Sequence, residues 1–218
     1  MKKYMLALGL SLLTVLGLFT GCSPKAETAS DSDSLKIVAT IFPEYDWVRQ
    51  VLGARAGEVE LTLLLDSGTD LHSYQPTAAD MLTIGECDLF LYNGGESDAW
   101  VERVLATAAN PDRRTLSVME VLGDSVLEEE VVEGMQEAED HDHAEGEAHE
   151  KEADEHVWLS LRNARTACAE IARVLGELDP DHAAEYQANA ENYMAELEAL
   201  DGEYAALAEN AARRTVLV

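Results

Sequence analysis

Basic residues are scarce in this chain. Fifteen Lys and Arg stand against 43 Asp and Glu, a formal net charge of −28. Such an excess repels phosphate backbones and excludes nucleic acid as an expected partner, while it attracts cations. Cysteine is nearly absent too. Of three, Cys22 lies near the N-terminus, and Cys87 and Cys168 sit in helix-like apolar surroundings. No CxxC motif is present, so a thiolate metal centre is not indicated, and the two distal cysteines are expected to be buried free thiols. An extracytoplasmic location would also permit a disulfide between them. Catalytic signatures are missing as well: there is no GxSxG, no Walker loop and no Gly-rich dinucleotide turn. Glu96 and Asp98 after the Gly94-Gly95 pair read as carboxylates at a helix start rather than as an acid/base pair.

Long apolar runs occur once. Residues 4–20 are almost wholly apolar behind Lys2 and Lys3 and end at Thr20-Gly21-Cys22. This reads as a signal peptide over residues 1–21, at the short limit for a spanning helix. The ending has the form of a bacterial lipobox, with Phe19 where leucine is usual. Cys22 is thus the expected lipidation site. Residues 22–34, rich in Ser, Thr, Ala and Asp, read as a flexible tether.

What is present beyond residue 35 is an alternation. Strands are expected at 35–40, 59–65, 89–93 and 114–118, with helices at 45–52, 77–87 and 98–107. Strands alternating with helices imply an α/β fold with a parallel sheet. The run VELTLLL at 59–65 is apolar enough to be buried on both faces. In such sheets ligands bind at the carboxyl ends of strands. The polar loop DSGTDLHSYQPT at 66–77 leaves one such end and carries His72; the turn at residues 93–96 leaves another. Trp47, Trp100 and Trp158 read as core.

The insertion at 127–155 breaks the alternation. Residues 128–155 hold fourteen acidic side chains, one lysine and three histidines, His141, His143 and His149. That composition buries too little apolar surface to offset its ordering entropy. Histidines among carboxylates suit weak, exchanging capture of divalent metal, so these three form a candidate accessory site. His156 follows in DEHVWLS. A helix with an apolar stripe from Ala164 to Leu178 comes next. Asp179, the expected N-cap, then opens a long helix over 181–213, with His182 at its surface. TVLV at 215–218 begins a strand. Imidazole is a common zinc ligand when a second acceptor fixes its tautomer. His72 has Asp66 and Asp70 nearby, and His156 has Asp154 and Glu155. The two histidines stand 84 positions apart, and spacing alone joins them only weakly.

The motifs GTDLHSYQPTAAD (68–80), CDLFLYNGGESDAW (87–100), EHVWLSLRNA (155–164) and the Asp179-Pro180 helix start, together with the His/Glu-rich insertion, resemble the ZnuA-like, zinc-binding solute-binding lipoproteins of bacterial ABC transporters, in the TroA superfamily (cluster A-I). The resemblance covers residues 35–218. It implies a two-lobed α/β protein: residues 35–180 as the N-terminal metal-binding lobe, 181–213 as the linking helix and 214–218 as the first strand of a second lobe. His72 and His156 align with the two metal ligands of the first lobe; two more would lie beyond Val218. One departure is LSLRNA, where the family often has Pro after Leu-Ser. The implied function is an extracytoplasmic, lipid-anchored monomeric receptor that captures Zn2+ and hands it to an ABC permease. The resemblance implies a binding protein and no enzyme. A Mn2+ receptor of the same superfamily is the alternative, since related manganese binders share both histidines but usually lack the insertion. An extracytoplasmic metal-dependent hydrolase and an adhesin with structural metal are the other classes considered.

Overall fold

Four short strands form one parallel sheet, in the order β2-β1-β3-β4. They are β1 (Lys36–Ala39), β2 (Glu60–Leu63), β3 (Leu89–Tyr92) and β4 (Arg114–Ser117). The structure is a computed structural model that describes residues 34–66, 68–107, 109–129 and 153–213. Ile37 of β1 pairs with Leu61 of β2 on one side and Leu89 of β3 on the other. Leu91 of β3 pairs with Leu116 of β4.

Side-chain alternation splits the core in two. Ile37, Ala39, Leu89 and Leu91 face one layer, with Trp47, Val48, Ile171 and Tyr186. Val38 and Phe90 face the other, with Ile84, Trp100, Val101 and Val104. Both faces of the central strands are therefore covered, as parallel pairing requires. β2 is the exception: it lies at the sheet edge and its residues are half-buried or exposed. The expectation of burial on both faces at 59–65 is corrected, because an edge strand has one neighbour instead of two.

The helices are α1 (Phe42–Leu52), α2 (Ala78–Glu86), α3 (Val101–Leu105), α4 (Val118–Leu122), α5 (Leu161–Leu178) and α6 (Ala183–Asn210). α1 begins ahead of the expected residue 45, with Pro43 inside its first turn, where a missing N–H costs nothing. Thr77 caps α2: its Oγ1 accepts the Asp80 N–H at 3.2 Å, and Asp80 Oδ2 accepts the Thr77 N–H at 2.8 Å. The expected helix at 98–107 is shortened to α3. A single 3₁₀ turn at Glu96–Asp98 precedes it, and the Asp98 carboxylate there accepts the Gly94 N–H at 2.9 Å.

α5 buries the stripe expected of it, from Ala164 through Ile171 to Leu175. Ser160 is its cap. α6 packs against α1 and α5. Its first half buries Tyr186, Ala190 and Leu197, whereas Leu200, Tyr204 and Leu207 are exposed. Asn189 donates to the Val51 carbonyl at 3.0 Å across the α1 end. Asp179 does not cap this helix with its side chain. Its carboxylate meets the His182 ring at 2.9 Å, the Tyr186 hydroxyl at 2.6 Å and the Arg55 guanidinium at 3.6 Å. His182 is consequently half-buried instead of a free surface residue.

Cys87 and Cys168 are buried free thiols, each pushed up to about 12 by burial. Trp47 and Trp100 are in the core, and Trp158 is partly buried between the two layers. The insertion's ends are joined: Glu128 and Ala153 form an antiparallel bridge, and the Asp154 N–H donates to the Leu127 carbonyl at 2.8 Å. Residues 1–33, 130–152 and 214–218 lie outside the described residues, and with them Cys22, His141, His143, His149 and the expected terminal strand. Among the described residues, no helix is long and apolar enough to cross a membrane.

Candidate metal centre

His72 and His156 meet at the carboxyl end of the sheet. Their ring centres are 5.5 Å apart, with the planes inclined at 55°. Both side chains are about half exposed, 55% and 47%, so the pair faces solvent.

Each histidine is set by its own short turn. Leu71–Ser73 forms a 3₁₀ turn between buried Leu71 and buried Tyr74. Asp70 caps it by accepting the His72 N–H at 2.8 Å. On the other side Val157 is buried just after His156, and the Trp158 ring lies 5.3 Å from the His156 ring. Asp154 Oδ1 accepts the His156 backbone N–H at 2.9 Å and contacts its Nδ1 at 2.9 Å. The His156 N–H, outweighing partial burial, and then the ring hold the Asp154 carboxyl below its ordinary value.

The ring of His72 finds a partner from a third segment. Its Nδ1 lies 2.9 Å from Ser97 Oγ, in the turn after β3. Ser97 is held in turn by Glu155, whose Oε1 accepts the Ser97 N–H at 3.0 Å and whose Oε2 accepts the Ser97 hydroxyl. Glu155 Oε2 is itself 4.0 Å from His72 Nδ1. The Glu155 carbonyl accepts from the fully buried Asn93 side chain at 2.9 Å. The site is thus built from the 66–77 loop, the Asn93–Asp98 turn and the strip leading into α5.

Both Nδ1 atoms have oxygen partners, and neither Nε2 has a protein partner among the described residues. A neutral ring that donates from Nδ1 keeps its Nε2 lone pair for a ligand. Two such nitrogens can hold a divalent cation. Among the described residues no group of three or more His, Cys, Asp or Glu side chains surrounds one point, so the histidines stand as a pair. Of the neighbours expected from sequence, Asp154 serves its histidine ring, whereas Asp70 holds backbone and not ring. Ser97 was missed. It is 25 residues from His72 with nothing local to tie it there, and only the Gly-Gly break beside it marked the turn as special.

Beneath this layer lie two buried carboxyls. Asp98 is pushed up to about 6, chiefly by burial, against hydrogen bonds from Gly94 and Asn93. Glu44, fully buried in the first turn of α1, is pushed up to about 8 by burial. Its hydrogen bond from the Thr40 side chain opposes that rise, and the Asp98 charge adds to it.

The family model for "Zinc-uptake complex component A periplasmic" (ZnuA) matches residues 37–218. The zinc-binding lipoprotein AdcA of Streptococcus pneumoniae is 34% identical over 206 residues, which is 94% of this chain and 38% of that protein. The metal ABC transporter substrate-binding lipoprotein SsaB of Streptococcus sanguinis is 30% identical over 200 residues, 90% of this chain and 58% of that one. The crystal structure of Zn(II)-bound AdcA from S. pneumoniae matches with a TM-score of 0.63 at 28% identity, over 82% of this chain and 33% of that chain. The lipoprotein YcdH of Bacillus subtilis matches with a TM-score of 0.64 at 25% identity, over 82% and 57%. The chain therefore spans between about one third and three fifths of the length of these relatives. By the match of sequence and fold together, it belongs to the ZnuA family of zinc-uptake complex components.

Proposed function

We propose that this chain is the metal-capturing part of an extracytoplasmic receptor that binds Zn2+ and delivers it to the permease of an ABC importer. One observation carries the reading: His72 and His156, 84 positions apart in sequence, converge with both Nδ1 atoms occupied and both Nε2 atoms without protein partners among the described residues. Two imidazoles sharing one tetrahedral ion at a Zn–N distance of about 2.0–2.1 Å have ring centres about 5 Å apart. The separation of 5.5 Å fits that arrangement. A tetrahedral ion needs further donors, which the rest of a two-lobed protein would supply.

The solvent-open pair suits a carrier that must release its cargo, and relatives of this chain are named as metal-binding and substrate-binding lipoproteins, so we assign binding. Zinc is favoured because relatives of this sequence are named as zinc-binding. Manganese is the alternative: FpvC, a structural neighbour from Pseudomonas aeruginosa, is described with Mn2+ and with Ni2+. Lipid attachment at Cys22, the domain limits set out above, a monomeric state and an accessory site at His141, His143 and His149 belong to the same proposal.

Calorimetry on the complete receptor is the test. His72→Ala is expected to weaken Zn2+ binding by at least 100-fold, about 2.7 kcal/mol. Unchanged affinity would remove His72 from the site. Competition between Zn2+ and Mn2+ in the same cell decides the metal.

A further inference from the structure

Ser97 and Glu155 are not metal ligands in the reading above, yet both oxygens of Glu155 close on Ser97 and Ser97 closes on His72. We propose that Ser97 and Glu155 form a directional hydrogen-bond relay that fixes His72 as its Nδ1–H tautomer and ties it to the His156 segment. This rests on the reading of His72 and His156 as the metal pair.

The direction follows from donor and acceptor chemistry. A serine hydroxyl has one proton to give and lone pairs to offer. A carboxylate only accepts. Glu155 Oε2 takes the Ser97 proton, so Ser97 Oγ can only accept from His72 Nδ1. His72 must then carry its proton on Nδ1, and Nε2 is left as a lone pair. Serine without the carboxylate could point its proton either way and would permit both tautomers.

The surroundings are shaped for this relay. Gly95 has φ +82° and packs so closely that a Cβ would stand 2.3 Å from Glu155 Oε1. Any side chain there would displace the carboxylate. The Glu155 carbonyl is pinned by buried Asn93, and the Glu155 side chain is only 13% exposed. Glu155 immediately precedes His156. One residue thus sets the protonation of one histidine and the placement of the other. Ser97 and Glu155 are positioning residues, acting on the metal only through the imidazoles.

The test uses this chain carrying His141→Gln, His143→Gln and His149→Gln, so that the insertion contributes no imidazole. Long-range 1H–15N correlation on the metal-free chain, above the pH where the rings protonate, reads the tautomer of His72 directly. The expected parent signal is Nδ1–H. In Ser97→Ala the Nε2–H form should become populated, and Zn2+ affinity, measured against a chromogenic chelator, should fall roughly 10–100-fold. Ser97→Thr keeps the hydroxyl and should restore both. Glu155→Gln removes the acceptor-only end and should mix the tautomers even where the fold is unchanged. A parent spectrum showing Nε2–H, or an unchanged tautomer in both Ser97→Ala and Glu155→Gln, overturns the relay. His72→Ala separates the two ideas. If it leaves Zn2+ affinity intact, the metal pair is wrong, while the tautomer spectra still judge the relay.

Discussion

At the scale of single residues, chemistry in this site is decided by small groups. Gly95 occupies a left-handed conformation and leaves space that the Glu155 carboxylate fills. Gly95→Ala meets both obstacles at once, so it is expected to destabilise the chain by about 1–3 kcal/mol. Urea denaturation measures the loss. Glu44 makes a different prediction. Its folded-state value of about 8 lies above its ordinary 4.5. Between those values the folded chain holds a proton that the unfolded chain releases, so stability falls as pH rises through that window and levels off above it. Glu44→Gln should remove that slope. The melting temperature of the variant, relative to the parent, should gain at least about 3 °C from pH 5 to pH 8, corresponding to roughly 1 kcal/mol. Asp98, raised to about 6, leaves a remaining slope below that pH in both proteins. An equal pH dependence in parent and variant would show that Glu44 ionises normally. Neither group could be singled out from sequence. Glu44 stands in FPEYDW like any helix-start acid, and burial, which raises its value, is a product of the whole core.

At the scale of elements, local rules and tertiary packing divide the outcome between them. α2 was legible because Thr77 and Asp80 carry its start signal at the spacing of a reciprocal cap, and both hydrogen bonds form. Thr77→Ala should cost about 1 kcal/mol, read as a lowered midpoint in chemical denaturation with an unchanged slope. α5 was equally legible, since one face carries the apolar stripe and that face is buried. β2 was not. Its apolar run matches a central strand, and only strand order, a long-range property, places it at the edge. Asp179 shows the same limit. The Asp-Pro pair marks a helix start correctly, but Arg55, distant in sequence, and Tyr186 and His182 on the following turns claim the carboxylate that local rules assign to capping. The stripe on α6 is continuous in sequence, while the described structure buries only its first half. Periodicity reports which side of a helix is apolar and not how far along it a partner extends.

For the whole molecule, the parallel sheet brings the ends of β1, β2 and β3 to one edge, and the histidine pair lies there because loops leaving different strands converge on it. This convergence explains why a site with no local motif could be inferred only through a resemblance that spans the chain. The ring contacts of the pair, and the Ser97 link, are long-range facts with no spacing signature. The acidic insertion enters and leaves this body through a single point, where Glu128 and Ala153 pair. Deleting residues 140–151 is accordingly expected to change the melting temperature by less than about 2 °C, measured by calorimetry.

That pairing also bears on how the chain tolerates changes of length. Because the segment is fastened at both ends just ahead of Asp154, its length is decoupled from the placement of His156. Doubling the number of residues between two joined ends costs only about 0.6 kcal/mol in closure entropy. A change of length between residues 128 and 153 is therefore expected to be nearly neutral for stability. Such a change would leave the geometry of the histidine pair to the residues that follow Ala153.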